Sequence, residues 1–330
     1  MGAHKIIQLV HPTQTELENA FNLFESSCSS GKLHDVARRG LSNSDVRLRT
    51  EPFPKVEMHD SYVYGVLASP TDVEDAKSEY FNIHFVVNAS MALTVVWGVD
   101  ETDAERRLSL SERISFTSSE EDSESAPGDC IVRIATVVVE DLENVLTDLH
   151  SHANQELEEL ESELFNLDGL SESSADIAER YQKVSLLKFE ILSMNTTVEE
   201  TKNVLFVLDQ LDAVRLTPGV LFSKDQQISI NDLLMRSRSL KAQRADLEDE
   251  VRLIFDRLES IENQRQTKAQ LRLGSVASIL LLPALIVGFF GQNFNNTPWG
   301  DFDPSWKINT AGLAVIAGIQ FVYFRRKKWL

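Results

Sequence analysis

Two apolar stretches near the C-terminal end of this 330-residue sequence constrain its fold more than any other feature. No charged residue occurs from Leu273 to Gly300, and the part from Val276 to Phe290 is almost purely apolar. Counted from Leu271, about 20 residues are available, which is enough for a helix to span a bilayer. A second uncharged run, Ile308–Phe324, follows after one short loop. One such run is compatible with a buried helix of a soluble enzyme, but two in succession predict a pair of transmembrane helices.

The net charge of −19 is unevenly distributed along the chain. Residues 271–330 contain six basic and two acidic residues, net +4, so the remaining residues carry −23. This acidic excess argues against a nucleic-acid-binding protein, which would present a basic face. Basic residues flank the two apolar runs, whereas the loop between them carries Asp301, Asp303 and only Lys307. The positive-inside rule therefore predicts a multi-pass protein of the cell (inner) membrane with both termini in the cytoplasm.

A long segment without Gly or Pro, 221–273, precedes the first apolar run. Apolar residues recur in it at heptad positions, which is typical of helices packed side by side; they are Leu233, Leu240, Leu247, Val251, Ile254, Leu258 and Ile261. We expect one helix of roughly 65–70 residues that continues into the membrane. A helix of that length needs neighbours, either in its own chain or in other subunits.

The N-terminal part has a different pattern, rich in Val, Ile, Phe and Tyr. It predicts an α/β domain with a mixed sheet. Thr15–Arg39 is expected to form one or two helices capped by Thr13 or Thr15. The predicted strands are Ile6–Val10, Lys55–His59, Tyr62–Leu67, Phe81–Val87 and Ala92–Gly98. Two further helices are predicted at Cys130–Leu167, with Asp129 as N-cap, and at Ser174–Leu211.

The chain is therefore predicted to be an α+β membrane protein with four parts. These are a cytoplasmic α/β domain with an acidic linker, a pair of antiparallel cytoplasmic helices, a stalk helix, and a two-helix transmembrane domain with a basic tail, at 1–128, 129–220, 221–272 and 273–330.

No catalytic constellation is evident, so we expect no enzyme and no required cofactor. The histidines of the His150-x-His152 pair are two residues apart, which does not place them on one helical face as metal ligands. The sequence contains no P-loop, no GxGxxG and no serine-centred elbow. A membrane-tethered coiled-coil scaffold would explain the heptads, but it leaves the polar loop after the first apolar run without a role.

That loop reads Gly291-Gln292-Asn293-Phe294, with Pro298 four residues after the Phe. It resembles the Gly-Met-Asn-Phe pore loop of the CorA family of divalent-cation channels. The long stalk, the proline-containing apolar helix before the loop, and the basic tail match the same family. The resemblance covers residues 225–330 closely, and residues 1–220 in architecture only.

The resemblance implies a homopentameric funnel in which the first span of each subunit lines the pore. The selectivity filter would be formed by Gly291, Gln292 and Asn293, where five amide oxygens contact hydrated Mg²⁺. The resemblance and the helical spacing together place six further residues along the pore and gate: Gly288, Ala284, Leu281, Ala277, Leu273 and Gln270. Leu281 and Leu273 would form apolar constrictions, although leucines in these places also suit lipid or helix packing.

Charged residues take two further roles under the resemblance. A basic collar at the membrane surface, which would equally suit anionic lipids, consists of Arg272, Arg325, Arg326, Lys327 and Lys328. Asp256 and Asp232 fall where the family has stalk carboxylates that sense cytoplasmic Mg²⁺, although exposed surface charge is an alternative role for both. Their partners would come from the α/β domain, where Asp72, Glu74 and Asp75 lie in a plausible loop.

The expected partners are divalent cations, membrane lipids and further copies of the chain. Gln292 stands where the family has Met, and the related ZntB-type zinc transporters also vary there. Transport of Mg²⁺ is the first expectation. Transport of Zn²⁺ or another transition metal, with or without proton coupling, is the alternative.

Overall fold

The computed structural model describes residues 5–28, 32–42, 54–70, 80–97, 112–113, 126–165, 174–214, 222–290, 305–327 and 329. They divide into two compact units. The first comprises Met1–Phe165 and Ser174–Ile254, and the second includes Phe255–Leu330. Each unit is described by itself below.

The first unit contains a five-stranded mixed sheet. Its strands are β1 (Lys5–Val10), β2 (Lys55–Met58), β3 (Val63–Pro70), β4 (Tyr80–Val87) and β5 (Met91–Trp97), in the order β1-β5-β4-β3-β2. β1 pairs with β5 in parallel, and the other neighbours are antiparallel. The five predicted strands and the mixed sheet are confirmed, with ends that differ by at most three residues.

Helices cover both faces of this sheet. On one face, α1 (Gln14–Glu25) and α2 (Asp35–Ser42) pack over a core that includes Phe21, Phe24 and Trp97. On the other face lies α3 (Pro127–Phe165), which is tied to the sheet by a hydrogen bond that Ser69 donates to Asp141. Because both faces are covered, β3 and β5 are buried along their whole length. This explains why their sequences are almost continuously apolar.

The helix caps correct two details of the sequence prediction. Thr13, rather than Thr15, caps α1, and it forms a reciprocal capping box with Glu16. Helix α3 begins at Pro127, not at Cys130, because proline suits the first helical position. Asp129 therefore lies in the first turn, where its carboxylate accepts the Ala126 N–H at 2.9 Å.

The remaining helices are long. Helix α4 spans Ser174–Val214, and α5 spans Lys224–Phe290 in 67 residues without interruption at its internal Pro283. Ser223 and Gln226 form the capping box that starts α5. Helix α6 spans Ser305–Arg326. Of the helices described, α5 is the one that is long and apolar enough to cross a membrane by length and composition.

Candidate ion pathway

The predicted pore stripe lies on the part of α5 that belongs to the second unit. All six of its side chains or backbone positions are exposed there, namely Gln270, Leu273, Ala277, Leu281, Ala284 and Gly288. Leu273 and Leu281 are 72% and 70% exposed, although leucine is ordinarily a core residue. The predicted filter residues Gly291, Gln292 and Asn293 lie outside the described residues.

The opposite side of the same helix segment is covered. Ser275 is 2% exposed, and Ile279 and Ile286 are partly buried. At 100° per residue, these three lie about 180° from the centre of the predicted pore stripe. The Ser275 hydroxyl donates to the Leu271 carbonyl at 2.7 Å, so its polar group is satisfied within the helix. The pore stripe thus lies within the larger surface of α5 that the chain itself leaves uncovered, which also includes Leu280 and Leu285.

Helix α6 has the same two-sided character. A half-buried stripe contains Leu313, Ile316, Ala317, Gln320 and Phe324. Large apolar side chains elsewhere on the helix are exposed, among them Val315 at 60% and Ile319 at 65%. An exposed apolar surface of this kind is expected where the surroundings are lipid or another subunit.

The predicted basic collar is exposed wherever it is described, at Arg272, Arg325, Arg326 and Lys327; Lys328 lies outside the described residues. The chain beyond α6 turns back, because the Trp329 N–H donates to the Phe324 carbonyl at 3.0 Å. The Trp329 ring stacks on Phe324 with centroids 5.7 Å apart. An aromatic ring close in the chain to basic residues is typical of a membrane interface.

The two predicted sensor carboxylates are both exposed on α5, but 24 positions apart, so they do not form one site within a chain. Asp232 lies one helical turn from Arg236, whose pKa is raised mainly by its hydrogen bond to Glu143. Asp256 borders an open polar groove of about 540 Å³, lined also by Glu259, Ser260, Asn263, Gln264, Thr267 and Lys268. In the described part of the chain, no three His, Cys, Asp or Glu side chains are already arranged around a metal position. Asp72, Glu74 and Asp75 lie outside the described residues.

Polar ties that the sequence did not predict connect the stalk part of α5 to its neighbours. Arg236 donates two hydrogen bonds to Glu143 of α3, at 3.0 and 2.5 Å. Glu199 of α4 forms an ion pair with Lys241, and the pKa of its carboxyl is lowered by Lys202 and Lys241. His150 lies 3.0 Å from Glu250. No sequence signal could have found these pairs, because their members are 42 or more residues apart.

Most of the chain matches one known protein family. The family model described as CorA-like Mg²⁺ transporter protein matches residues 34–326. The chain belongs to the CorA family. CorA-family proteins are membrane transporters of divalent cations rather than enzymes, so the chain is a divalent-cation transporter, and α5 contains an apolar transmembrane segment. A search of curated proteins finds no match.

Solved structures with the same fold agree with this membership. The complete CorA magnesium transporter from Methanocaldococcus jannaschii superposes with a TM-score of 0.68 at 20% identity, over 98% of this chain and 91% of that one. The full-length CmaX protein gives 0.61 at 12% identity, over 98% and 88%. The soluble domain of the M. jannaschii CorA gives 0.51 at 18% identity, over 77% and 87%. The predicted N-terminal α/β domain and long helix are confirmed by these similarities.

Proposed function

We propose that the chain forms a homopentameric Mg²⁺ channel whose pore is lined by the C-terminal third of α5. The observation that carries this proposal is the uncovered stripe from Gln270 to Gly288. Its members are uncharged, and after Gln270 they are two leucines and three small residues. Small residues leave room for a hydrated ion, and rings of leucine can close a pore by excluding water.

A single copy of this stripe encloses nothing, so the proposal requires several subunits. The stalk part of α5 also presents exposed apolar side chains, Ile228, Met235 and Leu253, at 61%, 52% and 41% exposure. They lie within about 20° of one another around the helix axis. They lie about 120–140° around the helix from the buried heptad residue Leu240, which is 1% exposed. A neighbouring subunit would cover them, and the CorA resemblance favours five subunits.

The filter would consist of Gly291, Gln292 and Asn293. Mg²⁺ sheds its water reluctantly, so neutral amide and carbonyl oxygens suit it as partners for the hydration shell. Gln292 adds a hydrogen-bonding side chain where the family has methionine. Because this side chain could change which ion is preferred, Zn²⁺ or another transition metal is the second candidate ion.

Helix α6 would be the second span, with both termini in the cytoplasm and the basic collar on that side. Asp232 and Asp256 would bind regulatory Mg²⁺ with partners from adjacent subunits.

Replacing Asn293 tests the pore directly. Purified wild-type protein in liposomes should take up Mg²⁺, and Asn293→Ala should lose most of this flux or its preference for Mg²⁺. Asn296→Ala in the same loop is the matched control and should retain both. Equal uptake by all three proteins would refute the assignment of the filter.

The ion is identified by the same liposomes. Uptake of Mg²⁺, Zn²⁺, Co²⁺ and Ni²⁺ is compared with and without a pH gradient. We expect Mg²⁺ flux that does not depend on the gradient, and a sharper preference for Mg²⁺ in Gln292→Met. Gradient-driven Zn²⁺ flux would instead support the second candidate. Native mass spectrometry of the purified protein tests the expected pentamer.

A further inference from the structure

A buried polar stripe runs along the middle of α4. It consists of Glu190, which is 4% exposed, and of Thr197 and Thr201, which are fully buried. At 100° per residue, the three positions lie within about 40° of one another around the helix axis. They share this side of the helix with the fully buried Met194. The stripe therefore faces the interior of the first unit and not water.

Each of the three side chains has a polar atom that is not satisfied. Oε1 of Glu190 and the hydroxyl oxygens of Thr197 and Thr201 are buried and have no hydrogen-bond partner among the described residues. Buried polar atoms in proteins are nearly always paired, so three of them on one side of one helix call for an explanation. Glu190 is the most costly of the three when it is ionised, because an unpaired buried charge is far more unfavourable than a buried hydroxyl.

Two ion pairs indicate what lies opposite Glu190 on the neighbouring helices. Arg180 of α4 lies 3.7 Å from Glu159 of α3, and Glu199 of α4 pairs with Lys241 of α5. Glu190 lies about halfway between Arg180 and Glu199 in the sequence. Because short connections join α3 to α4 and α4 to α5, consecutive helices run antiparallel. Counting back from the two pairs then places His150 of α3 and Glu250 of α5 close to the level of Glu190.

The charged groups near this level of the three helices do not neutralise Glu190. His150 and Glu250 lie 3.0 Å apart, and Arg244 of α5 pairs with Glu248 at 3.1 Å. The other titratable residues within about one turn of this level are exposed; they are Asp148, His152, Lys188, Asp246, Asp249 and Arg252.

The sheet supplies no compensating charge either. Helix α4 also contacts β2 and β3. Strand β3 contains no charged residue, and in β2 the side chains of Lys55 and Glu57 pair with each other at 2.8 Å. Burial is therefore what raises the pKa of Glu190, to about 7, and no neighbouring charge contributes. The carboxyl is divided between its neutral and its ionised form at neutral pH.

We propose that Glu190 is a proton-binding site, and that its proton holds α4 against α3 and the stalk part of α5. With the proton bound, the carboxyl is neutral and suits the apolar interior. When the proton leaves to solvent, a negative charge remains in an interior that offers it no cation. Local separation of α4 then admits water to the carboxylate and relieves this cost. The first unit therefore packs tightly at acidic pH and opens at α4 as the pH rises through neutrality.

Hydrogen exchange of the backbone amides, followed by mass spectrometry on the full-length protein in detergent, tests the proposal. The protection of peptides that cover 187–201 is compared at pH 6 and pH 8, after correction for the intrinsic effect of pH on exchange. A carboxyl whose pKa is about 7 in the packed helix and 4.5 in the opened one should lower this protection about tenfold over the interval. Glu190→Gln keeps the shape of the side chain but cannot ionise, so its corrected protection should be equal at both pH values.

Glu179→Gln is the matched control, because Glu179 lies on the same helix with its side chain 67% exposed. This variant should retain the tenfold change of the wild type. Glu190→Leu, which has no polar group to bury, should be as insensitive to pH as Glu190→Gln, and it keeps the test decisive if the glutamine amide destabilises α4. Equal wild-type protection at the two pH values, or a tenfold change that persists in both Glu190 variants, would overturn the proposal. Hydrogen exchange measures no flux, so either result would leave the proposed Mg²⁺ channel untouched.

Discussion

The two units place the same kind of side chain in opposite environments. Leu67 in the sheet of the first unit is fully buried, whereas Leu281 in the second unit is 70% exposed. Among residues 270–288 of α5, the most buried residue is Ser275. The first unit thus has its apolar residues inside, as water requires, and the second has them outside. The difference shows that the chain is built for two solvents, water for one unit and lipid or neighbouring subunits for the other.

The largest expected effect comes from replacing one leucine by alanine in each unit and comparing the losses of stability. Leu67→Ala should lower the free energy of unfolding by about 2–5 kcal/mol, because it leaves a cavity in a packed core. Leu281→Ala removes the same atoms from an exposed position and should change the stability in detergent by less than about 0.5 kcal/mol. Denaturant unfolding of the full-length variants measures both values. Equal losses would mean that the two units bury leucine alike.

Introducing a charged side chain should be harmful in the second unit and tolerated in the first. Leu280→Arg, at a position 67% exposed and outside the pore stripe, should oppose membrane insertion by about 2.5–3.5 kcal/mol. Phe189→Arg in α4 is the matched control, at 63% exposure in the first unit, and should be tolerated. Membrane fractionation of the expressed variants reports the outcome. Normal insertion of Leu280→Arg would contradict a lipid-facing surface.

Titration distinguishes two glutamates of α4 within the water-facing unit. Burial raises the pKa of Glu190 to about 7, so this carboxyl favours folding in its neutral form. Its contribution is complete below the unfolded pKa near 4.5 and is lost as pH rises to about 7. Glu190→Gln should therefore stabilise the protein by about 1–3 kcal/mol at pH 8 and have little effect at pH 4.

Glu199 should show the opposite dependence, because its lysine partners lower its pKa. Its stabilisation is present above the unfolded pKa and is lost as pH falls through the lowered folded value. Glu199→Gln should thus destabilise the protein at pH 7 and not at low pH. Thermal unfolding across pH 4–8 measures both variants, and parallel pH profiles for the two would contradict this difference.

The smallest expected effect concerns the tie between the stalk and the sheet-covering helix. Arg236 and Glu143 are each about one-third exposed, so water screens their attraction. A double-mutant cycle of Arg236→Ala and Glu143→Ala should give a coupling energy of about 0.5–1 kcal/mol. A value near zero would show that this tie orients α5 without stabilising the first unit.

Much of the fold could be predicted because local patterns determine it. The heptad residues from Leu233 to Ile261 are all buried, and continuous apolar runs became the central strands. The helix starts were less predictable. Helix α3 starts at Pro127, and α5 starts at the capping box of Ser223 with Gln226. Short polar motifs of this kind predict the first residue of a helix only weakly, because the exact start depends on the backbone geometry of the cap.

The residues of the candidate sites also differ in how well the sequence predicts them. The pore stripe could be predicted by residue, because one helix and its period fix which positions share a side. The filter at Gly291–Asn293, the ion and the number of subunits remain predictions based on the family resemblance.

The sequence by itself determined which parts of the chain meet water and which meet lipid, because hydropathy and charge act residue by residue. It also determined the long helix, whose heptad period repeats over many turns. Only the tertiary structure decided which distant groups meet. Strand order brought β1 beside β5, and side-chain packing paired Arg236 with Glu143 and stacked His34 on His59. These contacts depend on the closure of long loops, and no local pattern in the sequence encodes that closure.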